Sequence, residues 1–74
     1  MGTIELTARL IAELISHTPH IEIATLDRKT ATLTGQAATI AARQHGDTMT
    51  YSVRRIIATA DAGYLLTCQR EGDR

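Results

Sequence analysis

The chain has 74 residues, a formal net charge of zero and only two aromatic residues, both tyrosines. A zero net charge excludes a global electrostatic attraction to nucleic acid or to an anionic membrane surface. A core of this size supplies only about 3–5 kcal/mol without a metal, a disulfide or a partner chain. The single cysteine, Cys68, excludes a disulfide within the chain and is typical of a reducing compartment. We therefore expect one domain over residues 1–74 that associates with itself or with another chain.

The first predicted element is an amphipathic helix over about residues 4–17. Thr3 is its expected cap, and Glu5 suits the positive end of the helix dipole. Pro19 is expected to end the helix, because a proline disfavours the α region for the residue before it. Apolar residues recur at helical spacing, and a second set widens the same stripe, so we expect both sets to face the core. The two sets are Ile4, Ala8, Ile11 and Ile15, and Leu6, Leu10 and Leu14.

A β-hairpin is the next predicted element. Residues 21–23 and 30–34 each alternate between apolar and polar side chains, and the polar residues 27–29 between them suit a turn. The threonines of the second strand would face water, because their hydroxyls stay hydrated there. Their β-branched stems also fit a pleated surface. The apolar side chains of both strands are expected to pack against the first helix.

Residues 36–45 fit two structures. Four alanines and two glutamines favour a short helix, which Gly46 would end. The alternation of Ala38, Ile40 and Ala42 with their neighbours also suits a strand. We favour the helix and leave the strand open.

A second hairpin is predicted for the last part of the chain. It has a long strand over residues 48–59, a turn at residues 61–63 and a returning strand over residues 64–70. The alternation changes phase after Arg54, which a bulge or a strand end buried on both faces would explain. Residues 71–74 are expected to form a frayed tail.

Together these elements predict an α+β fold. An N-terminal amphipathic helix packs on an antiparallel sheet of about four strands in two hairpins, with a short second helix at residues 36–45. No apolar run approaches the ~18 residues of a membrane span, and the first residues lack the basic and apolar regions of a signal peptide. We therefore expect a cytoplasmic protein that does not engage a membrane.

Few residues are candidates for reactive chemistry, namely His17, His20, His45 and Cys68. Zinc sites use about four ligands in closely spaced pairs, and only His17 and His20 form such a pair, so we expect no metal and no cofactor. Cys68 has no catalytic signature around it and is expected to pack as a small apolar residue. The sequence therefore predicts a binding protein and not an enzyme.

The candidate partner-binding residues are arginines and tyrosines of the second hairpin and of the segment before it. They are Arg43, Tyr51, Arg54, Arg55, Tyr64 and Arg70. Arginines over phosphates and tyrosines stacked on bases form nucleic-acid-binding sheets, whereas the same residue types also anchor protein interfaces.

An uncharged edge strand favours a protein partner. Residues 30–46 carry Arg43 as their only formal charge, and edge strands without charges or prolines invite pairing with another chain. We expect a protein partner and a homo-oligomer such as a homodimer. Nucleic-acid binding and a role as an accessory subunit of an enzyme complex are the alternatives.

Two short segments behind the amphipathic helix, Ile21-Glu22-Ile23 and Ala31-Thr32-Leu33-Thr34-Gly35, resemble the opening of BON domains. The resemblance covers about residues 7–36, and the residues after it do not continue the BON pattern. It implies a small α+β module that binds lipid or protein at bacterial envelopes. In size and class the chain also resembles small regulators and inhibitors carried by phages and plasmids, which implies binding to a surface of a larger host complex.

Overall fold

The structure, a computed structural model, describes residues 2–56 and 63–71. It contains the helices α1 (Thr3–Ile15) and α2 (Arg28–Gln44) and the strands β1 (His20–Thr25), β2 (Met49–Arg55) and β3 (Tyr64–Arg70). The predicted α+β class, with an N-terminal helix and an antiparallel sheet, is confirmed. Most of the predicted turn at residues 61–63 and of the predicted tail lies outside the described residues.

The sheet is built around β3, which pairs antiparallel with β1 on one side and with β2 on the other. Ile21 and Tyr51 lie opposite Cys68 in the register, and Ile23 lies opposite Leu66. Leu66 and Cys68 are fully buried, so this face of the sheet is the one that the two helices cover.

Two strands of the second predicted hairpin are present, β2 and β3, and they pair antiparallel as predicted. β2 ends at Arg55, short of the prediction, and residues 57–59 of that prediction lie outside the described part of the chain. The register continues unbroken through Arg54 and Arg55, so β2 contains no bulge there. The two arginines at the end of β2 are both exposed.

The first predicted hairpin is wrong. Residues 28–44 form one continuous helix, α2, so the described residues form three strands and not about four. Asp27 begins this helix, since its Oδ1 accepts a hydrogen bond from the Thr30 backbone N at 2.7 Å and its Oδ2 accepts one from the Thr30 hydroxyl at 3.0 Å. Such a cap satisfies backbone donors that the first turn of a helix leaves unpaired. Gly46, with φ of 88°, ends α2 as predicted.

A stripe of small residues explains why residues 30–34 are helical despite their alternation. The buried residues of α2 recur every three or four positions, which is the period of a helix. They are Ala31, Thr34, Gly35, Ala38 and Ala42. Burial of this stripe offsets the weak helix propensity of the threonines.

The helix α1 begins after Gly2, which occupies the N-cap position without a side-chain cap, so the predicted cap at Thr3 does not form. The helix ends at Ile15, two residues before the predicted end. Its buried residues are Ala8, Ile11, Ala12 and Ile15.

Small side chains dominate the core. Ten apolar residues are buried within residues 2–56 and 63–71, of which five are alanines and the other five are Ile11, Ile15, Met49, Leu66 and Cys68. The aromatic ring of Tyr51 packs directly on Gly35 of α2. A Cβ atom at position 35 would lie 2.7 Å from Tyr51 Cγ and 2.8 Å from Tyr51 Cε2, closer than packed carbon atoms approach.

We expect Gly35→Ala to lower the free energy of unfolding by up to about 2 kcal/mol. Overpacking costs about 1–3 kcal/mol, which outweighs the ~1 kcal/mol that alanine adds to helix propensity. Urea denaturation measures the change. In a Tyr51→Leu background the same substitution is expected to be neutral or stabilising, and an equal loss in both backgrounds would show that the ring is not the cause.

The cap at Asp27 predicts a dependence of stability on pH. Hydrogen bonds from the Thr30 backbone and then from its hydroxyl hold the pKa of Asp27 below its ordinary value of 3.8. A lowered folded-state pKa adds stability above about pH 4 that is lost as the pH falls through the folded-state pKa. Thermal melts of the wild type and of Asp27→Asn should therefore converge in acid, and parallel pH profiles would contradict the prediction.

Candidate functional site

The face of the sheet opposite the helices, here named the open sheet face, carries mostly polar side chains. The pairing arranges nine residues in three rows across the strands, which are His20–Gln69–Thr50, Glu22–Thr67–Ser52 and Ala24–Leu65–Arg54. His20 Nε2 lies 3.5 Å from Glu22 Oε2, and each side chain is 49% exposed. An ion pair this exposed contributes little to stability.

The two tyrosines of the predicted binding set lie on the other side of the sheet. Tyr51 and Tyr64 alternate with the residues of the open sheet face, and both pack partly buried against the core. The nine residues of the open sheet face therefore include no tyrosine, and the imidazole of His20 is the one ring among them on which a base could stack.

The arginines of that set point in different directions. Arg54 lies on the open sheet face, whereas Arg55 lies opposite Tyr64 on the helix-facing side. Arg43 is exposed in the last turn of α2. The six predicted binding residues thus do not form one surface.

Arg70 holds the C-terminal end of α1. Its Nη1 donates to the carbonyl oxygen of Ser16 at 2.8 Å and to that of Ile15 at 3.2 Å. The backbone N of Arg70 also donates to the carbonyl oxygen of Pro19 at 2.9 Å. Carbonyls at the end of a helix lack partners within the helix and carry partial negative charge, which a guanidinium complements.

We expect Arg70→Met to lower the free energy of unfolding by about 1.5–3 kcal/mol, the range for hydrogen bonds to a charged group. Arg54→Met is the matched control, because Arg54 is exposed on the open sheet face and its loss should change stability by no more than about 0.5 kcal/mol. Chemical denaturation measures the free energy of unfolding of both variants. Equal losses would show that the hydrogen bonds from Arg70 to the end of α1 do not stabilise the fold.

An exposed apolar surface lies on α1, formed by Leu6, Leu10 and Leu14 and here named the leucine stripe. These side chains are 55%, 56% and 43% exposed. The prediction that they face the core is wrong, because Ala8, Ile11, Ala12 and Ile15 fill that side. At 100° per residue the three leucines lie about 150° around the helix from the centre of its buried face. That angular separation is readable from the sequence and is the signal that locates the stripe.

Two grooves along α1 establish where the leucine stripe points. Thr3, Ile4 and Thr7 line one groove together with residues 23–27 at the end of β1. A second groove runs between α1 and α2, and its lining residues are Glu5, Ala8, Arg9, Ala37, Ile40, Ala41 and Gln44. The leucine stripe lines neither groove and faces solvent on the side of α1 away from α2.

The helix α2 carries a smaller apolar surface. Leu33 and Ile40 are 39% and 62% exposed and line an open groove with Ile4 and Ala37. This groove lies on the opposite side of α1 from the leucine stripe. Its exposed apolar residue Ile40 can therefore be substituted as a control for the leucines, since it has the same character but lies on a different surface.

The edge-strand surface predicted for residues 30–46 does not exist, because these residues are helical up to Gln44. Their hydroxyls are used locally. Thr39 Oγ1 donates to the carbonyl oxygen of Gly35 at 2.8 Å, and Thr34 is buried. Edges that pair with no described strand occur instead on the outer sides of β1 and β2.

Cys68 is fully buried in the central strand, and burial raises the pKa of its thiol to about 11. The thiol is therefore protonated near neutral pH and is a poor nucleophile. Within residues 2–56 and 63–71, no group of three or more His, Cys, Asp or Glu side chains could hold a metal ion. No helix in the same residues is long and apolar enough to cross a membrane.

This chain matches no protein-family model, no curated protein and no solved structure.

Proposed function

We propose that this protein is a non-enzymatic binding module that acts on another protein chain through the leucine stripe of α1. The observation that carries the proposal is the exposure of Leu6, Leu10 and Leu14, since each of these residues is at least 43% exposed. Full burial of one leucine side chain is worth about 1.5–3 kcal/mol. Half of the buried apolar residues in the described part of the chain are alanines, and the three leucines are not among the buried residues. A partner surface that covers the leucines would therefore provide the free energy of their burial.

Contiguity of the leucines supports a binding role. Single exposed apolar residues are common on proteins, whereas contiguous apolar patches mark interaction surfaces. The leucines stand one helical turn apart on one face of α1, and the polar side chains Arg9 and Glu13 border them. An apolar centre with a charged border is the usual anatomy of a protein interface. A regulator that occupies a surface of a larger complex would use such a helix.

Binding of nucleic acid is the second candidate. Exposed Arg43, Arg54 and Arg55 favour it, but the tyrosines that would stack on bases face the helices. Contacts to phosphates would make binding weaken steeply with salt, whereas an apolar interface responds little to salt. Salt dependence therefore separates the two candidates.

We expect Leu10→Glu to abolish capture of the partner protein from an extract of the native host, because a buried carboxylate without a partner is costly. Ile40→Glu is the matched control, since it places the same charge on an exposed apolar position of α2. Tagged wild type and both variants are compared by affinity capture and mass spectrometry at low and high salt.

The proposal is supported if the wild type and Ile40→Glu capture the same partner protein, Leu10→Glu does not, and salt changes capture little. Recovery of nucleic acid that is lost at high salt, or with Arg54 and Arg55 both replaced by alanine, would support the second candidate instead.

A further inference from the structure

We infer that a second copy of this chain covers the leucine stripe, with the two α1 helices packed antiparallel about a two-fold axis. The inference rests on the proposed function, because it names the partner of that same surface.

The leucine spacing is symmetric about Leu10. When two copies of α1 run antiparallel, Leu10 of one copy faces Leu10 of the other. Leu6 of each copy then faces Leu14 of the other copy. This register buries all three leucines of both copies. A shift of one turn in either direction leaves a leucine of each copy without a partner, so the antiparallel register centred on Leu10 gives the largest apolar contact.

Charge complementarity points to the same register. Arg9 and Glu13 border the leucine stripe on the side away from the sheet, and a two-fold axis normal to the helices brings these borders together. With 1.5 Å of rise per residue, Arg9 of one copy lies about 3 Å along the helix axis both from Glu13 and from Arg9 of the other copy. Two symmetry-related Arg9–Glu13 attractions therefore oppose a single Arg9–Arg9 repulsion on this side of the leucines. Opposite charges beside an apolar seam select partner and orientation in paired helices.

The sheet is compatible with this arrangement. α1 contacts β1 and β3, whereas α2 contacts all three strands and β2 most extensively. The side of α1 away from α2, which carries the leucine stripe, is therefore nearer the outer edge of β1 than that of β2. The same two-fold axis brings the outer β1 edges of the two copies toward each other. The second copy thereby shields an edge that would otherwise invite other strands.

The contact area sets the strength of the pairing. A helix of 13 residues is about 20 Å long. Contact along one such helix falls short of the ~800 Å² that each partner buries in a standard interface. We therefore expect a reversible dimer whose population depends on concentration.

Cysteine cross-linking tests the orientation. Under mild oxidation Leu10→Cys should form a disulfide-linked dimer, whereas Leu6→Cys alone and Leu14→Cys alone should not. A mixture of the Leu6→Cys and Leu14→Cys proteins should form the mixed dimer. The wild type is the background control, since Cys68 is buried. Cross-linking of Leu6→Cys with itself would indicate parallel helices and overturn the inference.

A charge exchange tests the register by sedimentation equilibrium. Arg9→Glu and Glu13→Arg should each weaken dimerisation several-fold, and the double variant Arg9→Glu/Glu13→Arg should restore it. Ile40→Glu should leave it unchanged, and circular dichroism of each variant confirms that α1 is still helical. Additive losses in the double variant would overturn the assigned register.

The outcomes separate this inference from the proposed function. A wild type that stays monomeric at every concentration, while Leu10→Glu still abolishes capture of a different protein, refutes the dimer and leaves the proposed function standing. A dimer that Leu10→Glu dissociates, with capture of a different protein unaffected by that substitution, supports the inference and refutes the role of the leucine stripe in binding other proteins.

Discussion

Close approach between α2 and the sheet depends on small side chains at their contact. Gly35 admits the ring of Tyr51, and Ala31, Ala38 and Ala42 let the helix backbone pack closely on its neighbours. Interiors pack at near-crystalline density, so a contact built from alanines has room for few large side chains. The leucines of α1 consequently lie outside the core, where they are available to another chain.

Local patterns predicted the parts of the fold that local forces decide. The buried positions of α1 follow its helical period, and the alternation in β2 and β3 predicted their antiparallel pairing. The first half of α2 was predicted wrongly, because its threonines alternate as a strand would. Two local signals favoured a helix there, the cap at Asp27 and the spacing of Ala31, Gly35 and Ala38 at three or four residues, but the alternation was given more weight.

The candidate site was also predicted only in part from the sequence. Exposure of Arg43, Arg54 and Arg55 agrees with their chemistry, but their separation on the surface depends on strand register and on where α2 ends. The orientation of Tyr51 follows from Gly35, sixteen positions earlier in the chain. The leucine stripe was readable from the sequence, since its angle differs from that of Ala8 and Ile11, yet apolar character alone assigned all of these residues to the core.

The central position of β3 has a consequence for how the nascent chain folds. β1 and β2 each pair only with β3 among the described strands, and Arg70 at the end of β3 joins the end of α1 through residues more than fifty positions apart. Contacts so distant in sequence form late. The three described strands therefore cannot join into one sheet until β3, the last of them in the chain, has been synthesised.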